Sequence, residues 1–463
     1  MIKCPACGAE MKFDPKLQKV KCEYCDSVFD AKELRKEAKR AKEYENVAGI
    51  EGKSYTCSSC GATLLTFDET AITFCSYCGS QAMLESKMMK INNPDYVIPF
   101  KKTKEECIDN YKKLLRKSLF APSYLKSDVT ISKFRGIYMP YCIYKLTHNG
   151  KCTNVGSKRS GRVGDYVIYT DYKIDAEVDG CYDGISFDLL SKFYDTYSQA
   201  IPFNFSEAEQ FNKNYLIGYY ADTMDVDSST YRNIAKNIAD GDSTRFLRKR
   251  KEFRKYGCNN PTVPFDVSET KIGMFPVYFL AVRDKSNKYV NYAIVNGQTG
   301  KVVADLPIDF KKYIFGSLIL AIIIFFLINN MFTITPGGVI IFSIVASVVS
   351  IIITAVNLNK LQVHDTHMED KGFISITENR RALKNKMKFS EKFLKYYFRQ
   401  ILAIIISLIP IFMHLVDDLY YYGASIISIL LIITTFSGLV KAHNLLVSRK
   451  IVQLEKRGGD ENE

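Results

Sequence analysis

Histidine is scarce in this chain, and motifs that carry common enzyme chemistry are missing. The sequence contains no HExxH motif, no nucleophile elbow and no dinucleotide-binding fingerprint. The segment Gly297–Lys301 differs from a phosphate loop in two ways. Its first glycine is too close in sequence to its second, and Val302 stands where Ser or Thr is needed. The five histidines are too scattered to predict a metal site: His148, His364, His367, His414 and His443. We therefore expect that the protein is not an enzyme.

The sequence also shows no export signal, because Met1 is followed at once by a cysteine-rich segment. Five of its thirteen cysteines follow no spacing pattern: Cys107, Cys142, Cys152, Cys181 and Cys258. We expect these five to be reduced and mostly buried, as in a cytosolic compartment.

The other eight cysteines form two quartets with identical spacing. Each quartet has two CxxC pairs separated by 14 residues, and the second quartet lies 53 positions after the first. The quartets are Cys4, Cys7, Cys22 and Cys25, and then Cys57, Cys60, Cys75 and Cys78. This spacing is typical of a four-thiolate zinc ribbon, in which two turns hold one ion from opposite sides. The sequence therefore predicts two Zn²⁺ ions, one in each ribbon.

Both predicted zinc sites are expected to be structural. A catalytic zinc keeps an open coordination position, and four thiolates leave none. Glycine follows the second cysteine of three pairs, at Gly8, Gly61 and Gly79, where a sharp turn favours positive φ. Disulfide pairing is a weaker alternative, because no export signal is visible.

Four apolar runs near the C-terminus are long enough to predict transmembrane helices, at about 313–329, 338–356, 397–415 and 421–440. None has a charge at its centre, and basic flanks alternate with flanks that are not basic. This pattern predicts a multi-pass protein of the cell membrane with both termini in the cytoplasm. The only histidine in a span is His414, near an outer end, so an anchor is favoured over a transporter.

The formal net charge is +13, and much of the excess positive charge lies near these runs. This placement favours a membrane surface over nucleic acid as the binding partner. The predicted cytoplasmic loop 357–396 is basic and partly amphipathic. It is either a surface that attracts anionic lipid or a solvated loop. Its membrane-surface candidates are Arg380, Arg381, Lys384, Lys386 and Lys388.

Between the ribbons and the apolar runs, the sequence predicts an α+β cytoplasmic domain with an antiparallel sheet. A capping box at Thr103–Glu106 opens a helix to about Leu119. Segments 275–282 and 289–295 read as a hairpin. The basic segment Gly156–Gly161 is predicted as a hairpin loop, with phosphate or lipid-headgroup contact as an alternative.

The predicted chain is thus multidomain, with two small β zinc ribbons, the α+β domain and a four-helix transmembrane region. The boundaries are 1–30 for the first ribbon, 31–53 for a charged helical linker, 54–85 for the second ribbon, 95–310 for the α+β domain, 311–445 for the membrane region and 446–463 for a cytoplasmic tail.

Several segments resemble a bacterial family of multi-pass membrane proteins with zinc ribbons. These segments are Val97–Phe100, Phe120–Tyr124, Arg135–Tyr141, Pro276–Tyr278 and Val295–Val303. Members are often labelled as related to the primosomal helicase or as carrying a transcription-factor-IIB-type ribbon. The chain is similar to the member found in operons with a phage-shock-protein-A-like protein and an SPFH-domain protein. The resemblance implies a scaffold that recruits such proteins to the membrane during envelope stress.

The leading functional hypothesis is therefore a membrane-anchored adaptor that recruits cytoplasmic proteins. The alternative is a membrane-tethered protein whose ribbons bind nucleic acid, for which Lys3, Lys12, Lys16, Lys19 and Lys21 provide some basic character in the first ribbon. The second ribbon has few lysines. A transporter or an enzyme has no supporting residues in the sequence.

Overall fold

The computed structural model describes residues 3–34, 50–67, 72, 75–81, 83–91, 93–191, 193, 195–283, 289–331, 335–363, 397–413, 417–447 and 449–450. The strands are β1 (Met11–Asp14), β2 (Lys19–Cys22), β3 (Val28–Phe29), β4 (Ile50–Cys57), β5 (Thr63–Thr66), β6 (Met83–Ile91), β7 (Tyr96–Val97), β8 (Arg135–Val163), β9 (Tyr166–Asp188), β10 (Glu209–Gln210), β11 (Tyr220–Asp222), β12 (Asp266–Arg283), β13 (Tyr289–Asn296), β14 (Val302–Ala304) and β15 (Arg449–Lys450). The α-helices are α1 (Lys104–Lys117), α2 (Asp128–Ile131), α3 (Asp195–Ala200), α4 (Arg232–Leu247), α5 (Lys251–Lys255), α6 (Phe310–Met331), α7 (Pro336–Val363), α8 (Tyr397–Phe412) and α9 (Asp418–Val447). Short 3₁₀ turns cover Ser123–Lys126, Phe205–Glu207, Lys213–Leu216 and Ser228–Tyr231.

A large mixed sheet forms the centre of the molecule. Twelve described strands belong to it, and β12 and β8 pair antiparallel along most of their shared length. The prediction of an antiparallel sheet is wrong in two places, because β11 runs parallel to β8 and β12 runs parallel to β7. Both parallel pairs involve strands of two or three residues, which local sequence patterns do not reveal.

Strands β8 and β9 form a long two-stranded hairpin, which we call the arm. Strand β8 has 29 residues and β9 has 23, and β12 stops pairing with β8 at Thr147. Beyond that point, helices α4 and α5 and the segment after them cover one face of the arm in a core that contains Cys152, Ile174 and Phe253. The basic segment predicted as a loop is instead part of β8, and the turn lies at Gly164–Asp165.

Helix α1 begins as its sequence predicts. The Thr103 hydroxyl accepts a hydrogen bond from the Glu106 amide at 3.3 Å, and the Glu106 carboxylate accepts one from the Thr103 amide at 2.8 Å. The helix ends at Lys117, two residues before the predicted end. The capping-box prediction is confirmed because it depends only on residues within one helical turn.

The second ribbon is continuous with the central sheet. Strand β5 pairs antiparallel with β11, and β4 pairs with β5 and β6. Strand β4 begins at Ile50, inside the segment predicted as a helical linker, because Ile50–Lys53 pairs with β6. Residues 35–49 of that linker lie outside the described residues. The second ribbon therefore extends the sheet of the α+β domain.

The first ribbon has its own three-stranded sheet, β1-β2-β3, which packs on the α+β domain. Phe13 and Val20 belong to the same hydrophobic core as Phe100 and Tyr138. The Asn212 and Asn214 side chains donate hydrogen bonds to the Ala31 carbonyl at 2.8 and 2.6 Å. Burial and hydrogen bonds thus attach this ribbon to the domain.

At the C-terminus, two helical segments, Pro336–Asn357 and Asp418–Asn444, could cross a membrane by length and composition. The prediction of four transmembrane helices is therefore not supported in full. Helix α8 is apolar but too short to cross a membrane as a straight helix. Its 16 residues span about 24 Å, and the hydrocarbon core of a bilayer is about 30 Å thick. Helix α6 has 22 residues and contains the predicted span 313–329, but it is not one of these two segments.

The C-terminal helices contact one another through polar side chains. The Ser407 hydroxyl lies 2.9 Å from the hydroxyls of Ser343 on α7 and Ser428 on α9. The Gln400 amide on α8 donates to Ser350 and Thr354, each at 2.7 Å. These hydrogen bonds hold α7, α8 and α9 together at buried positions.

Several predicted features lie outside the described residues. They include His414, residues 364–396 of the basic loop, with Arg380, Arg381, Lys384, Lys386 and Lys388, and residues 451–463 of the tail. The predicted tail begins in helix α9 and continues into β15, which pairs with β13 of the sheet.

Candidate metal centres

The structure brings each predicted cysteine quartet together in one cluster. Within each cluster, the four sulfur atoms lie within 4.8 Å of one another. In the first cluster the sulfur atoms of Cys4 and Cys25 are 3.6 Å apart, and those of Cys7 and Cys22 are 3.5 Å apart. In the second cluster the distances Cys57–Cys78 and Cys60–Cys75 are both 3.6 Å.

These distances fit a tetrahedral metal ion. Four thiolates bound about 2.3 Å from one zinc ion have sulfur atoms about 3.8 Å apart. A disulfide would require a distance of about 2.05 Å, and all eight cysteines are free thiols in the structure. Each cluster could therefore hold one metal ion with no open coordination position.

The four CxxC turns share one backbone geometry. The residue after the second cysteine has a positive φ in every case, at 75° for Gly8, 56° for Asp26, 67° for Gly61 and 65° for Gly79. Its amide donates a hydrogen bond to the carbonyl of the first cysteine at 2.8 to 3.1 Å. Asp26 fills a position that glycine occupies in the other three turns. Aspartate is among the few residues with a side chain that enter this region at modest cost.

The two clusters differ in their exposure to solvent. In the second cluster every cysteine is buried, with Cys57 and Cys75 at 0% exposure. These cysteines share a hydrophobic core with Phe275 and Phe279 of the central sheet. In the first cluster Cys7 and Cys25 are exposed. The second cluster is thus part of the core, whereas one side of the first faces water.

Hydrogen bonding favours the thiolate of Cys25 in the exposed cluster. The Cys25 sulfur lies 3.2 Å from the Ser27 hydroxyl. Hydrogen bonds from the Ser27 side chain and backbone lower the pKa of the Cys25 thiol to about 6. A thiolate is the form that binds a metal, so these hydrogen bonds favour the metal-binding form of Cys25.

Arg283 supports the second cluster from the end of β12, and no sequence motif indicated it. Its Nε donates to the Cys78 carbonyl at 2.5 Å, and its Nη2 lies 3.5 Å from the Cys78 sulfur. The same Nη2 donates to the Ser59 hydroxyl at 3.1 Å. Arg283 therefore contacts one candidate ligand and one residue of the Cys57–Cys60 turn, and it places a positive charge beside the Cys78 sulfur.

We expect Arg283→Ala to weaken metal binding at the second cluster by about tenfold or more, because partners that orient ligands contribute this much in other metal sites. Metal release from the detergent-purified protein to a coloured chelator measures the effect. Arg254→Ala on α5 is the matched control, since Arg254 is exposed and lies in a different part of the fold. Equal release from the two variants would contradict a supporting role for Arg283.

Comparison with known proteins shows one distant relationship. The chain is 26% identical over 318 residues to the uncharacterized protein YdjG of Bacillus subtilis (strain 168). The alignment covers 67% of this chain and 91% of YdjG. No family model matches the chain, and no solved structure matches it.

The five cysteines outside the clusters are mostly buried, as predicted. Cys107, Cys142, Cys152 and Cys258 are buried, and Cys181 is exposed. Burial raises the pKa of the Cys107 and Cys142 thiols to about 12, so both stay protonated at neutral pH. They behave as small apolar residues of the core.

Proposed function

We propose that this protein is a membrane-anchored adaptor, in which the ribbons and the α+β domain bind cytoplasmic proteins and hold them at the membrane. The main support is the connection of the apolar helices to the folded domain. The Asn444 side chain on α9 accepts a hydrogen bond from the Ile308 amide at 2.7 Å and donates one to the Ile308 carbonyl at 2.8 Å. The Phe120 ring packs edge-on against Tyr313 on α6, at 5.5 Å between centroids. An adaptor requires this kind of fixed connection between its anchor and its binding domain.

The proposal includes zinc as the metal of both clusters. Thiolate-only sites select zinc or iron among common metals, and zinc needs no redox partner. The ions would hold the ribbons in shape and leave their surfaces to bind partners. The proposal includes a non-catalytic role for the two clusters, supported by four cysteines in each, which leave no open coordination position.

The proposal also includes a multi-pass arrangement with four membrane helices and cytoplasmic termini. Its support is the alternation of basic and non-basic flanks in the sequence, together with the polar contacts that join α7, α8 and α9. The basic segment around Arg380 would then face anionic lipid at the inner membrane surface.

The proposed partners are SPFH-domain or phage-shock-protein-A-like proteins, on the strength of the family resemblance in the sequence. Binding of nucleic acid by the first ribbon is the second candidate. The specific observation in its favour is that Lys12, Lys16 and Lys21 lie together on one side of this ribbon, around a shared cleft.

Affinity purification of the intact, tagged protein from alkali-washed, detergent-solubilised membranes tests the adaptor function. Mass spectrometry and a nucleic-acid assay then identify what is bound. We expect specific proteins, and we expect fewer of them with the Cys7→Ser, Cys25→Ser variant, which disrupts the exposed cluster. Cys181→Ser, which removes another exposed thiol, is the matched control.

Recovery of the protein in the alkali-soluble fraction would contradict the membrane anchor. Nucleic acid in place of proteins would favour the second candidate.

A protease test checks the proposed orientation. We expect protease added from the cytoplasmic side to remove an N-terminal tag. Protection of that tag would contradict a cytoplasmic N-terminus.

A further inference from the structure

A cleft of about 710 Å³ lies between the first ribbon and the α+β domain. Strands β1 and β2 form one wall, and the start of α1 and the start of β8 form the other. Its volume falls within the range of about 300–1,000 Å³ that is usual for ligand sites. The cleft exists only because the ribbon packs against the domain, so neither part contains it alone.

Positive charge predominates among the side chains that line this cleft. The ribbon provides Lys12, Lys16 and Lys21, and the domain provides Lys104 and Arg135. The lining carboxylates are fewer, namely Asp14, Glu23 and Glu105.

Some of these charges already have partners. The Asp14 carboxylate accepts hydrogen bonds from the amides of Lys16 and Leu17, and Lys21 forms an ion pair with Asp26 at 2.7 Å. Within the described part of the chain, Lys12 and Lys16 have no carboxylate within ion-pair distance. The cleft thus keeps cationic groups that an anionic ligand can contact.

The surroundings of Lys104 disfavour its positive charge. Lys104 is half-buried, and its ammonium donates to the Ser132 carbonyl at 2.8 Å. Burial is the main cause that lowers the pKa of Lys104, followed by the charge of Arg135, while the Glu105 carboxylate acts in the opposite direction. An anion in the cleft would relieve this repulsion, which provides a driving force for binding.

A glycine allows the two walls of the cleft to approach. Phe13, Phe134 and Tyr278 line the cleft but are buried, so the side chains that it exposes are mainly polar and charged. Gly218 has φ of 81°, and a Cβ there would lie 2.3 Å from Cγ of Lys12. The Lys12 stem therefore lies directly over Gly218, and its ammonium is held at the cleft.

We propose that this cleft binds an acidic segment of a partner protein, in which carboxylates contact Lys12, Lys16 and Lys104. Cations on both walls of the cleft suit several carboxylates spaced along one peptide better than a single bare phosphate. This inference rests on the proposed adaptor function and adds the chemical class of the partner.

Fluorescence anisotropy with the full-length protein in detergent tests the proposal. The probe is a labelled octapeptide of six glutamates and two phenylalanines, and its comparison is the same peptide with glutamine in place of glutamate. We expect the acidic peptide to bind, and more weakly as salt rises. The variant Lys12→Glu, Lys104→Glu is expected to bind it about tenfold more weakly, because two attractive contacts become repulsive.

The matched control is Lys249→Glu, Lys251→Glu, which reverses two exposed charges near α5 and is expected to leave binding unchanged. The neutral pair Lys12→Gln, Lys104→Gln is expected to weaken binding less than the glutamate pair while thermal stability stays unchanged. This comparison separates lost charge from lost folding.

Two results would overturn the proposal: the Lys12→Glu, Lys104→Glu variant binds the acidic peptide as tightly as the parent protein, or the parent protein binds the glutamine peptide as tightly as the acidic one. So would tighter binding of single-stranded DNA, or displacement of the peptide by millimolar inorganic phosphate. Partner capture from membranes is measured independently, so the adaptor function can hold even if the cleft does not bind this peptide.

Discussion

Replacing Cys75 with serine is expected to destabilise the part of the central sheet that the second ribbon joins, whereas replacing Cys7 with serine is expected to leave the α+β domain folded. Cys75 is fully buried in the core that also contains Ile137, Phe275 and Phe279. Metal binding to four thiolates contributes on the order of 10 kcal/mol to folding, which is comparable with the entire stability of many domains. Cys7 lies on the exposed side of a ribbon that has its own small sheet.

Hydrogen exchange of the detergent-purified protein, read peptide by peptide, measures this difference. In Cys75→Ser we expect lost protection in β5, β11 and the β8 segment that pairs with β11. In Cys7→Ser we expect faster exchange in β1, β2 and β3 only. Cys181→Ser should exchange like the parent protein, because Cys181 is exposed and lies outside both clusters. Equal loss of protection in the two cluster variants would show that the second ribbon is not integrated into the sheet.

Replacing Gly156 with alanine is expected to lower the free energy of unfolding by about 3 kcal/mol or more, since a backbone clash must be relieved by moving main chain. A Cβ at Gly156 would lie 2.3 Å from the Tyr256 carbonyl oxygen and 3.1 Å from the Cys258 amide nitrogen. Across the same contact, a Cβ at Gly257 would lie 2.3 Å from the Ser157 carbonyl oxygen. Two glycines therefore allow the segment after α5 to lie directly on the arm.

Gly161 is the matched control, because it lies in the same strand and flanks the same basic segment. A Cβ there would meet no described atom within 4 Å, so Gly161→Ala should change stability by no more than about 0.5 kcal/mol. Chemical denaturation of the detergent-purified protein, followed by circular dichroism, gives both values. If both variants lost the same stability, the close contact at Tyr256 would not be the reason for Gly156.

This contact also changes the interpretation of the basic segment. In the sequence, glycines at both ends of a Lys-Arg segment suggest a loop, with phosphate contact as an alternative. In the structure, Gly156 provides close packing, and Lys158 and Arg159 are exposed strand residues opposite Thr170 and Tyr169. A second cationic site is the cleft beside α1, which joins residues from separate parts of the chain.

Some features of this protein were determined by the sequence alone, because they depend on residues close together in the chain. The CxxC pairs indicated every cysteine that the structure places in a cluster, since each turn holds two ligands within four residues. The capping box at Thr103 was predictable for the same reason. The hairpin of β12 and β13 followed from two β-rich segments separated by a short turn.

Other features were decided only by the tertiary structure, because they join residues far apart in the chain. Arg283 contacts Cys78 across 205 positions, and Asn212 contacts Ala31 across 181. The two parallel strand pairs and the union of the second ribbon with the sheet also depend on such contacts. Hydrophobic pattern determines which residues are buried, but it does not determine which distant strand covers them. The positions of the clustered cysteines could therefore be predicted, while the complete burial of one cluster, the partial exposure of the other and the basic cleft could not.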